Sequence, residues 1–373
     1  MTGARDEGIE VVRSDEGLAR LEPHWDRLYA ESGKGNPFLS FAWTSACRET
    51  IAAGLEPFVV AAWADGRLVG LAPLCLERRL GVRTLRFIGD GRSDYLGFLV
   101  VPDGAVEGRL LEALRDRAGE WDIAFLRQLA SPFTNLHLMA PPARVALHCT
   151  QWTTSAYCAW DGDWESLHGG GPPWLREMRK RGRKFRRAGG STQAFTGTAA
   201  IEQLDAVARI ERHSWKGREG VARLQPGTGQ ELLRRAFGRM TEAQLWLAFL
   251  DEEAIAFQVA FRAGHRLWLY QASYDERFAA TRAGSVLAYD ATEHGWASGI
   301  REYDYLAGDE PYKRERTTAL RPIHHLAVHP RSSRGWLAWS LLAAPRWKLR
   351  SIPVMKTAYE GARRIARSLL RRS

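Results

Sequence analysis

Two blocks of the chain repeat one pattern of apolar and polar positions at low sequence identity. Each block predicts three strands, a helix and a further strand. The predicted elements are strands at 57–63, 67–74 and 84–88, a helix at 104–118 and a strand at 121–126, then strands at 245–250, 254–261 and 266–271, a helix from 282 and a strand at 302–306. Agreement over five elements in one order indicates an internal duplication.

The duplication predicts an α/β (α+β) fold with two tandem domains, each a twisted, largely antiparallel sheet flanked by helices. A length of 373 residues is long for one domain and comfortable for two. We expect an N-terminal domain at 1–162, a C-terminal domain at 163–330 and a basic amphipathic tail at 331–373. Glycines and prolines at 168–173 indicate a linker or an exposed turn between the domains.

The stretch 281–316 predicts a turn, a helix and a strand in succession. Small residues at 283–285 open the helix, and apolar residues then follow at a spacing that suits one buried face. A glycine at a helix N-terminus lets backbone N–H groups approach an anion such as a pyrophosphate. An ordinary crossover helix with a glycine near its cap has the same pattern, so spacing alone leaves both interpretations open.

Three separated motifs resemble one protein family. In chain order they are HSWKGREG at 213–220, RAGSVL at 282–287 and YDYLAGDEPYK at 303–313. Together they resemble the GNAT-type acetyltransferase domain of the family linked to cellulose biosynthesis (CelD/BcsL-like), over about residues 165–325. That family is similar to the FemAB-type aminoacyl transferases, which carry two GNAT-like domains in tandem. The N-terminal half fits the resemblance more loosely, through Ser93, Asp94 and Tyr95.

The resemblance implies an N-acyltransferase that uses acetyl-CoA or another acyl-CoA as co-substrate and no metal. The acceptor would be an amine of a sugar, a lipid precursor or an amino-acid-like metabolite, in exopolysaccharide or cell-envelope metabolism. The usual GNAT pyrophosphate loop, Gln/Arg-x-x-Gly-x-Gly/Ala, does not occur as such. Its place is taken by the candidate cofactor-binding residues Arg282, Ala283, Gly284 and Ser285.

Acyl transfer to an amine requires a base for the acceptor and a donor for the developing charge. His213 can titrate near neutral pH, although a helix-end histidine bonded to backbone is the alternative. Asp304 could accept a proton or hold the amine, or it could make a structural hydrogen bond. Tyr312 could protonate the leaving thiolate, or it could simply pack.

The remaining candidates concern substrate binding. Trp215 and Lys216 belong to the first motif, and Lys313 could neutralise a phosphate or a carboxylate. Asp94 and Tyr95 would suit the acceptor side of an interdomain cleft. The sequence contains no Ser-His-Asp series, Walker loop or paired metal-ligand motif.

Two other functions stay open. A FemAB-like transferase that uses charged tRNA would need an anion-binding surface, and the basic run at 176–187 could provide it or be a solvated helix face. A non-catalytic pseudoenzyme could instead bind polysaccharide or a synthase subunit in the cleft.

The net charge of +10 lies in the tail, because residues 331–373 hold eleven Lys/Arg and only Glu360 as an acid. A nucleic-acid-binding surface across the whole protein is therefore not indicated. The apolar residues Trp336, Leu337, Trp339, Leu341 and Leu342 precede most of that charge.

Basic and aromatic residues on short helices suit an anionic membrane surface, although the tryptophans could instead pack back on the second domain. No secretory signal and no spanning segment are apparent in the sequence. We therefore expect a cytoplasmic protein, peripheral on the inner face of the cytoplasmic membrane. Its four cysteines, at spacings that match no zinc pattern, should be reduced thiols.

Overall fold

The fold is described from a computed structural model that covers residues 8–160, 162, 173–308, 313, 317 and 319–344, with backbone only at 173 and 174. The predicted linker at 168–172, Tyr312 and the tail beyond 344 lie outside this part of the chain. The helices and strands are β1 (Gly8–Val12), α1 (Asp15–Arg20), α2 (Glu22–Glu31), α3 (Phe41–Glu49), β2 (Glu56–Ala64), β3 (Arg67–Arg79), β4 (Val82–Phe87), β5 (Leu99–Val100), α4 (Gly104–Asp116), β6 (Ile123–Leu129), β7 (Val145–Ala159), α5 (Pro173–Arg187), β8 (Gly190–Phe195), α6 (Gly197–Glu202), α7 (Leu204–Arg212), α8 (Trp215–Arg218), α9 (Thr228–Arg239), β9 (Ala243–Leu250), β10 (Glu253–Ala263), β11 (Arg266–Tyr274), α10 (Ala283–Ala297), β12 (Glu302–Ala307), β13 (Ala319–Pro330) and α11 (Ser333–Leu342).

The chain forms two compact units that are not continuous in sequence. Among the described residues, the first contains those within 8–34, 54–152 and 323–344, and the second contains those within 35–53 and 153–322. These units differ from the predicted segments in two places. Residues 35–53, expected in the N-terminal domain, lie with the second unit, and helix α11, expected in the tail, lies with the first.

In the first unit, β1, β2, β3, β4 and β6 neighbour one another in that order, and β13 pairs with the far side of β6. The predicted hairpin of β2 and β3 is confirmed. Asp65 and Gly66 both have positive φ at its tip, which matches the right-handed twist of the two strands. Strands β4 and β6 are parallel and are connected through α4, whose apolar face packs into the core of this unit.

In the second unit, the end of β7 is followed by β12, β11, β10, β9 and β8. Neighbouring strands are antiparallel except β11 and β12, which are parallel and are connected through α10. The order β9, β10, β11, α10, β12 therefore repeats the order β2, β3, β4, α4, β6. The predicted fold class is confirmed: each unit is a mixed, largely antiparallel sheet flanked by helices.

An aromatic cluster explains why 35–53 belongs to the second unit. Phe38 and Trp43 contact the ring of Phe261 with centroid distances of 5.9 and 5.3 Å, and Trp43 lies 5.2 Å from Tyr270. The contacts are edge-to-face, the favourable arrangement for aromatic quadrupoles. All four rings are buried, so this segment contributes core to a sheet formed more than two hundred residues later.

Helix α10 packs its small and aliphatic residues against the sheet of the second unit. Ala283, Val286, Leu287 and Ala291 share one buried cluster with residues of β9 and β10. Across the described parts of the chain, the helices are all too short or too polar to cross a lipid bilayer.

Asp122, just before β6, connects three parts of the first unit. Its buried carboxylate accepts bonds from the Arg83 amide and guanidinium, each at 2.9 Å, and from Arg334 Nε at 3.1 Å. Burial raises the pKa of Asp122, but the hydrogen bonds from Arg83 and Arg334 outweigh burial and hold that pKa well below its usual range.

Because the pKa of Asp122 is depressed in the folded state, its contribution to stability is present above its unfolded pKa of about 3.9 and is lost as pH falls toward the folded value. We expect Asp122→Asn to lower the free energy of unfolding by about 1–3 kcal/mol between pH 5 and 8. The difference from wild type should shrink below about pH 4 in urea titrations. A difference that stays constant down to pH 3 would contradict this role.

Candidate active site

The parallel pair β11 and β12 separates partway along its length. The strands pair at Leu267 with Tyr303 and at Trp268 with Asp304, and this pairing then ends although both strands continue. On its other side, β12 has a bulge against β7 between Asp304 and Ala307. Ligands of open α/β sheets bind beyond the carboxyl ends of strands that part, so this end of β11 is the candidate site.

Asp304 produces the bulge. Its Oδ1 accepts bonds from the Leu306 amide at 2.8 Å and from the Ser155 hydroxyl at 3.0 Å, and Leu306 takes a φ of +58°. The second carboxylate oxygen binds the guanidinium of Arg321. A fully buried carboxylate with these donors is placed to hold the backbone, which favours the structural alternative for Asp304 over proton transfer.

Arg321 extends this buried charge cluster. It donates to Glu302 Oε1 at 3.1 Å and lies 4.3 Å from the centroid of the Tyr157 ring. Glu302 also meets Arg266 at 3.0 Å. The two carboxylates of β12 are thus compensated inside the second unit.

The N-terminus of α10 lies beside the end of β11. A Cβ added to Gly284 would lie 3.5 Å from the Tyr274 ring, which is ordinary van der Waals contact. The fold therefore accepts alanine at 284, where the glycine lies against Tyr274 without a side chain of its own. Arg282 precedes the helix in the left-handed conformation, and the first turn carries no acidic residue. These features fit an anion such as the pyrophosphate of a CoA thioester.

His213 and Asp275 form a pair at the same end of β11. His213 ends α7 and is 40% exposed, and its Nδ1 lies 3.2 Å from Oδ2 of the fully buried Asp275. Asp275 follows β11 directly and also accepts the Arg277 amide at 3.0 Å. Burial raises the pKa of Asp275, but bonds from the Arg277 side chain and amide, and the charges of Arg277 and His213, lower it on balance. The ionised carboxylate can thus hold an Nδ1–H donor and leave Nε2 as a base.

Asp275 was missed by the sequence interpretation. An acidic residue at the end of a strand is also typical of turns and caps, and Asp275 does cap the turn that follows β11. Its pairing with His213 spans 62 residues, so a single sequence gives no signal for it.

The motif that contains His213 is a rigid turn against β11. Ser214 accepts the Lys216 amide at 3.1 Å, and a Cβ on Gly217 would lie only 2.0 Å from the Arg212 carbonyl oxygen. Lys216 Nζ donates to Gln271 Oε1 at 3.1 Å and to the Ala272 carbonyl at 2.8 Å. Trp215 stays partly exposed beside it. Glycine at 217 is therefore required, and it fixes where Lys216 reaches β11.

The other candidates lie elsewhere. Lys313 is buried and donates to the Ala307 carbonyl at 2.9 Å, so it is near the end of β12. Tyr95 belongs to the first unit, where its buried ring lies 4.9 Å from Phe133, and its neighbour Asp94 is half-buried there. The structure thus groups His213, Trp215, Lys216 and residues 282–285 around β11. Tyr312 falls outside the described residues.

Helix α5 carries the basic run on one face. Leu175 and Met178 pack against Tyr289, and Phe185 joins the cluster under α10. The residues on the opposite face are exposed and mostly cationic: Arg176, Arg179, Lys180, Arg183, Lys184 and Arg187. Within the described ranges, no group of three or more His, Cys, Asp or Glu is placed to hold a metal ion.

Residues 175–314 match the family model described as acetyltransferase (GNAT) domain. This range lies within the second unit and contains the grouped residues, so the similarity to a GNAT-type domain concerns that unit. The sequence matches no curated protein.

Solved structures support the same fold. FemX is 10% identical, with 89% of this chain and 99% of that chain covered at a TM-score of 0.60. The C-terminal domain of a putative lysylphosphatidylglycerol synthetase from Agrobacterium fabrum is 10% identical, with 88% and 96% covered at 0.54. L-PGS from Bacillus licheniformis is 12% identical, with 86% and 94% covered at 0.52. At these identities the likeness concerns the fold.

The buried charge cluster leads to a stability prediction. Arg321→Met should lower the free energy of unfolding by about 3–5 kcal/mol, because Asp304 loses a charged partner and Glu302 loses one of two. Urea denaturation followed by tryptophan fluorescence measures this. Arg301→Met is the matched control, since exposed Arg301 donates only to carbonyls among the recorded bonds of the described residues. Equal, small losses for both variants would contradict the assignment.

Proposed function

We propose that the chain is an acyl-CoA-dependent N-acyltransferase of the GNAT fold, with its site at the end of β11. The observation that carries this proposal is the grouping of the His213–Asp275 pair with the N-terminus of α10, inside the range that matches the GNAT model. The acceptor is an amine of a sugar, a lipid precursor or an amino-acid-like metabolite. The proposed setting is exopolysaccharide or cell-envelope metabolism, in keeping with the resemblance to CelD/BcsL-like proteins.

The donor binds at the first turn of α10. The positive end of the α10 dipole favours the pyrophosphate, and Gly284 presents no side chain toward Tyr274 there. The amides of Ala283 and Ser285 already donate to Thr281 Oγ1 and to the Arg282 carbonyl, so the dipole carries the attraction. Bound there, the CoA thioester supplies the acyl group. Lys216, which donates to the Ala272 carbonyl of β11, adds positive charge near the same end of the strand.

His213 acts as the general base. Asp275 fixes Nδ1–H, so Nε2 can take a proton from the acceptor ammonium group. The neutral amine then attacks the thioester carbonyl and the C–N bond forms. The C–S bond breaks, the attacking nitrogen loses its second proton to solvent, and the thiolate leaves to be protonated. Tyr312 is proposed as the acid for that thiolate. Asp304 is a positioning residue that shapes β12, and Lys313 and Trp215 remain proposed contacts of the substrates.

A second donor, aminoacyl-tRNA, is favoured by one observation. Helix α5 exposes a row of cations while its apolar face is buried, and such a row suits a polyanion. The overall likeness to FemX is consistent with a FemAB-like transferase. Salt-dependent binding of charged tRNA, tighter than that of an unrelated polyanion and without thioester binding, would replace the CoA proposal with this one.

Calorimetry with acetyl-CoA and longer acyl-CoAs tests the donor. We expect binding by the wild-type chain and at least about tenfold weaker binding by Gly284→Leu, because the added side chain occupies the phosphate approach. Gly238→Leu is the control, since Gly238 is exposed on α9 with no atom within 4 Å of an added Cβ.

The donor proposal fails if no thioester binds, or if both leucine variants bind as wild type does. A stable chain that binds thioesters but transfers to no amine would indicate the non-catalytic alternative.

Steady-state rates test the base. His213→Gln should lower kcat by about 10²–10⁴-fold. Asp275→Asn should also lower kcat, because Nδ1–H of His213 loses its acceptor and the ring is no longer held with Nε2 as the base. His294→Gln, an exposed histidine on α10, is the control. A kcat of Asp275→Asn equal to that of wild type would rule out the pair as the catalytic unit.

A further inference from the structure

The first unit exposes several large apolar side chains on two elements far apart in sequence. Leu80, at the tip of the β3–β4 hairpin, is 94% exposed. On α11, Trp336, Leu337 and Leu341 are 63%, 52% and 67% exposed. Single exposed leucines are common on soluble proteins, but a group of this kind marks a binding surface.

The two elements meet. Arg334, in the first turn of α11, donates to the Gly81 carbonyl at 3.1 Å, and Gly81 is the neighbour of Leu80. Val82 of the same hairpin packs against the cluster that contains Ala338 and Trp339 of α11. The hairpin tip and the helix are therefore adjacent parts of one face, the apolar face of Leu80, Trp336, Leu337 and Leu341.

Helix α11 is held with a fixed side outward. Ala338 and Ala343 are buried against β6 and β13, and the Trp339 ring stacks on His148 at 3.7 Å. Of the two tryptophans on this helix, Trp339 thus packs into the first unit, whereas Trp336 is 63% exposed. Leu337 and Leu341 are four residues apart, so they share one face of the helix, and both are exposed.

Leu80 has an unfavourable backbone conformation. It has a φ of +49°, a left-handed conformation that disfavours leucine and suits glycine or asparagine. At 94% exposure it contributes almost nothing to the core in return. A fully exposed leucine in a strained turn is explained if the hairpin tip inserts into an apolar medium.

The charges around the apolar face are positive. Arg79 and Arg331 are exposed beside its two elements. Directly after the described residues, positions 345–373 add nine Lys/Arg and one acid, Glu360. A second copy of this chain would bring the same excess of positive charge and be repelled, whereas anionic lipid headgroups would be attracted.

We infer that this face docks the protein on an anionic lipid bilayer, with Leu80 and Trp336, Leu337 and Leu341 in the interface and the basic residues against the headgroups. Insertion of a few apolar side chains plus charge attraction gives weak, reversible binding of the kind that interfacial helices show. The inference concerns the first unit and is independent of the proposed chemistry in the second.

Vesicle flotation of the full chain tests the inference, using phosphatidylcholine vesicles with and without 30% phosphatidylglycerol (roughly the anionic fraction at which charge attraction becomes strong). We expect binding to the anionic vesicles, weaker binding to neutral ones and weakening with salt. Leu80→Asn, which relieves the turn, and Trp336→Ser should each lower the partition coefficient about tenfold. Leu138→Ser is the matched control, because Leu138 is 71% exposed in the same unit but on neither element.

Three outcomes would overturn the inference. They are no binding of the wild-type chain to anionic vesicles, equal binding to both kinds of vesicle, and equal losses in Leu80→Asn and Leu138→Ser. Sedimentation velocity tests whether the apolar face binds a second copy of the chain instead. If the wild-type chain is a dimer that binds no vesicles, and Leu341→Ser converts it to a monomer, the face serves self-association. Thermal unfolding of each variant confirms that the fold is retained.

Discussion

The separation of β11 from β12 depends on the buried carboxylate of Asp304. One oxygen accepts the Leu306 amide and the Ser155 hydroxyl, which turns β12 toward β7, and the other is neutralised by Arg321. Without the bulge, β12 could continue its pairing with β11 and close the end of the sheet. The same carboxylate therefore shapes the backbone and opens the place where His213, Lys216 and the start of α10 meet. In the proposed function, chemistry at this end of β11 depends on the bonds of Asp304, which itself transfers no proton.

A buried ion pair is a poor source of stability, since the desolvation of both charges opposes their attraction. The Asp304–Arg321 pair can instead fix one arrangement of the side chains around it. The Arg321 guanidinium also donates to Glu302 and lies over the Tyr157 ring, so its position is held by several contacts at once. A hydrophobic substitution of the whole cluster could keep the sheet and lose the bulge. We interpret the pair as a determinant of shape, in contrast to Asp275, which is buried but faces a half-exposed histidine.

Local patterns in the sequence were sufficient for the strands and crossover helices of the two repeated blocks, but not for β7, β8 and β13, which were not predicted. The Asp65–Gly66 hairpin needs only neighbouring residues, and α10 begins at the small residues that mark it in the sequence. The assignment of 35–53 was beyond such reasoning because Phe38 and Trp43 find their partners on β10 and β11. Asp275 was missed for the same reason, because its partner His213 is 62 residues away in the sequence. Asp304 was named as a candidate from its motif, yet only its burial and its donors distinguish a backbone-holding carboxylate from a base.

In the proposed function a CoA thioester binds where β11 ends and α10 begins. Hydrogen–deuterium exchange of the full chain, with and without saturating acetyl-CoA, measures this binding at the backbone. We expect slower exchange of the backbone amides at about 274–287, together with the turn at 213–217 that rests on β11, and little change in the first unit. Unchanged exchange in both segments, or protection confined to α5 and the first unit, would contradict it.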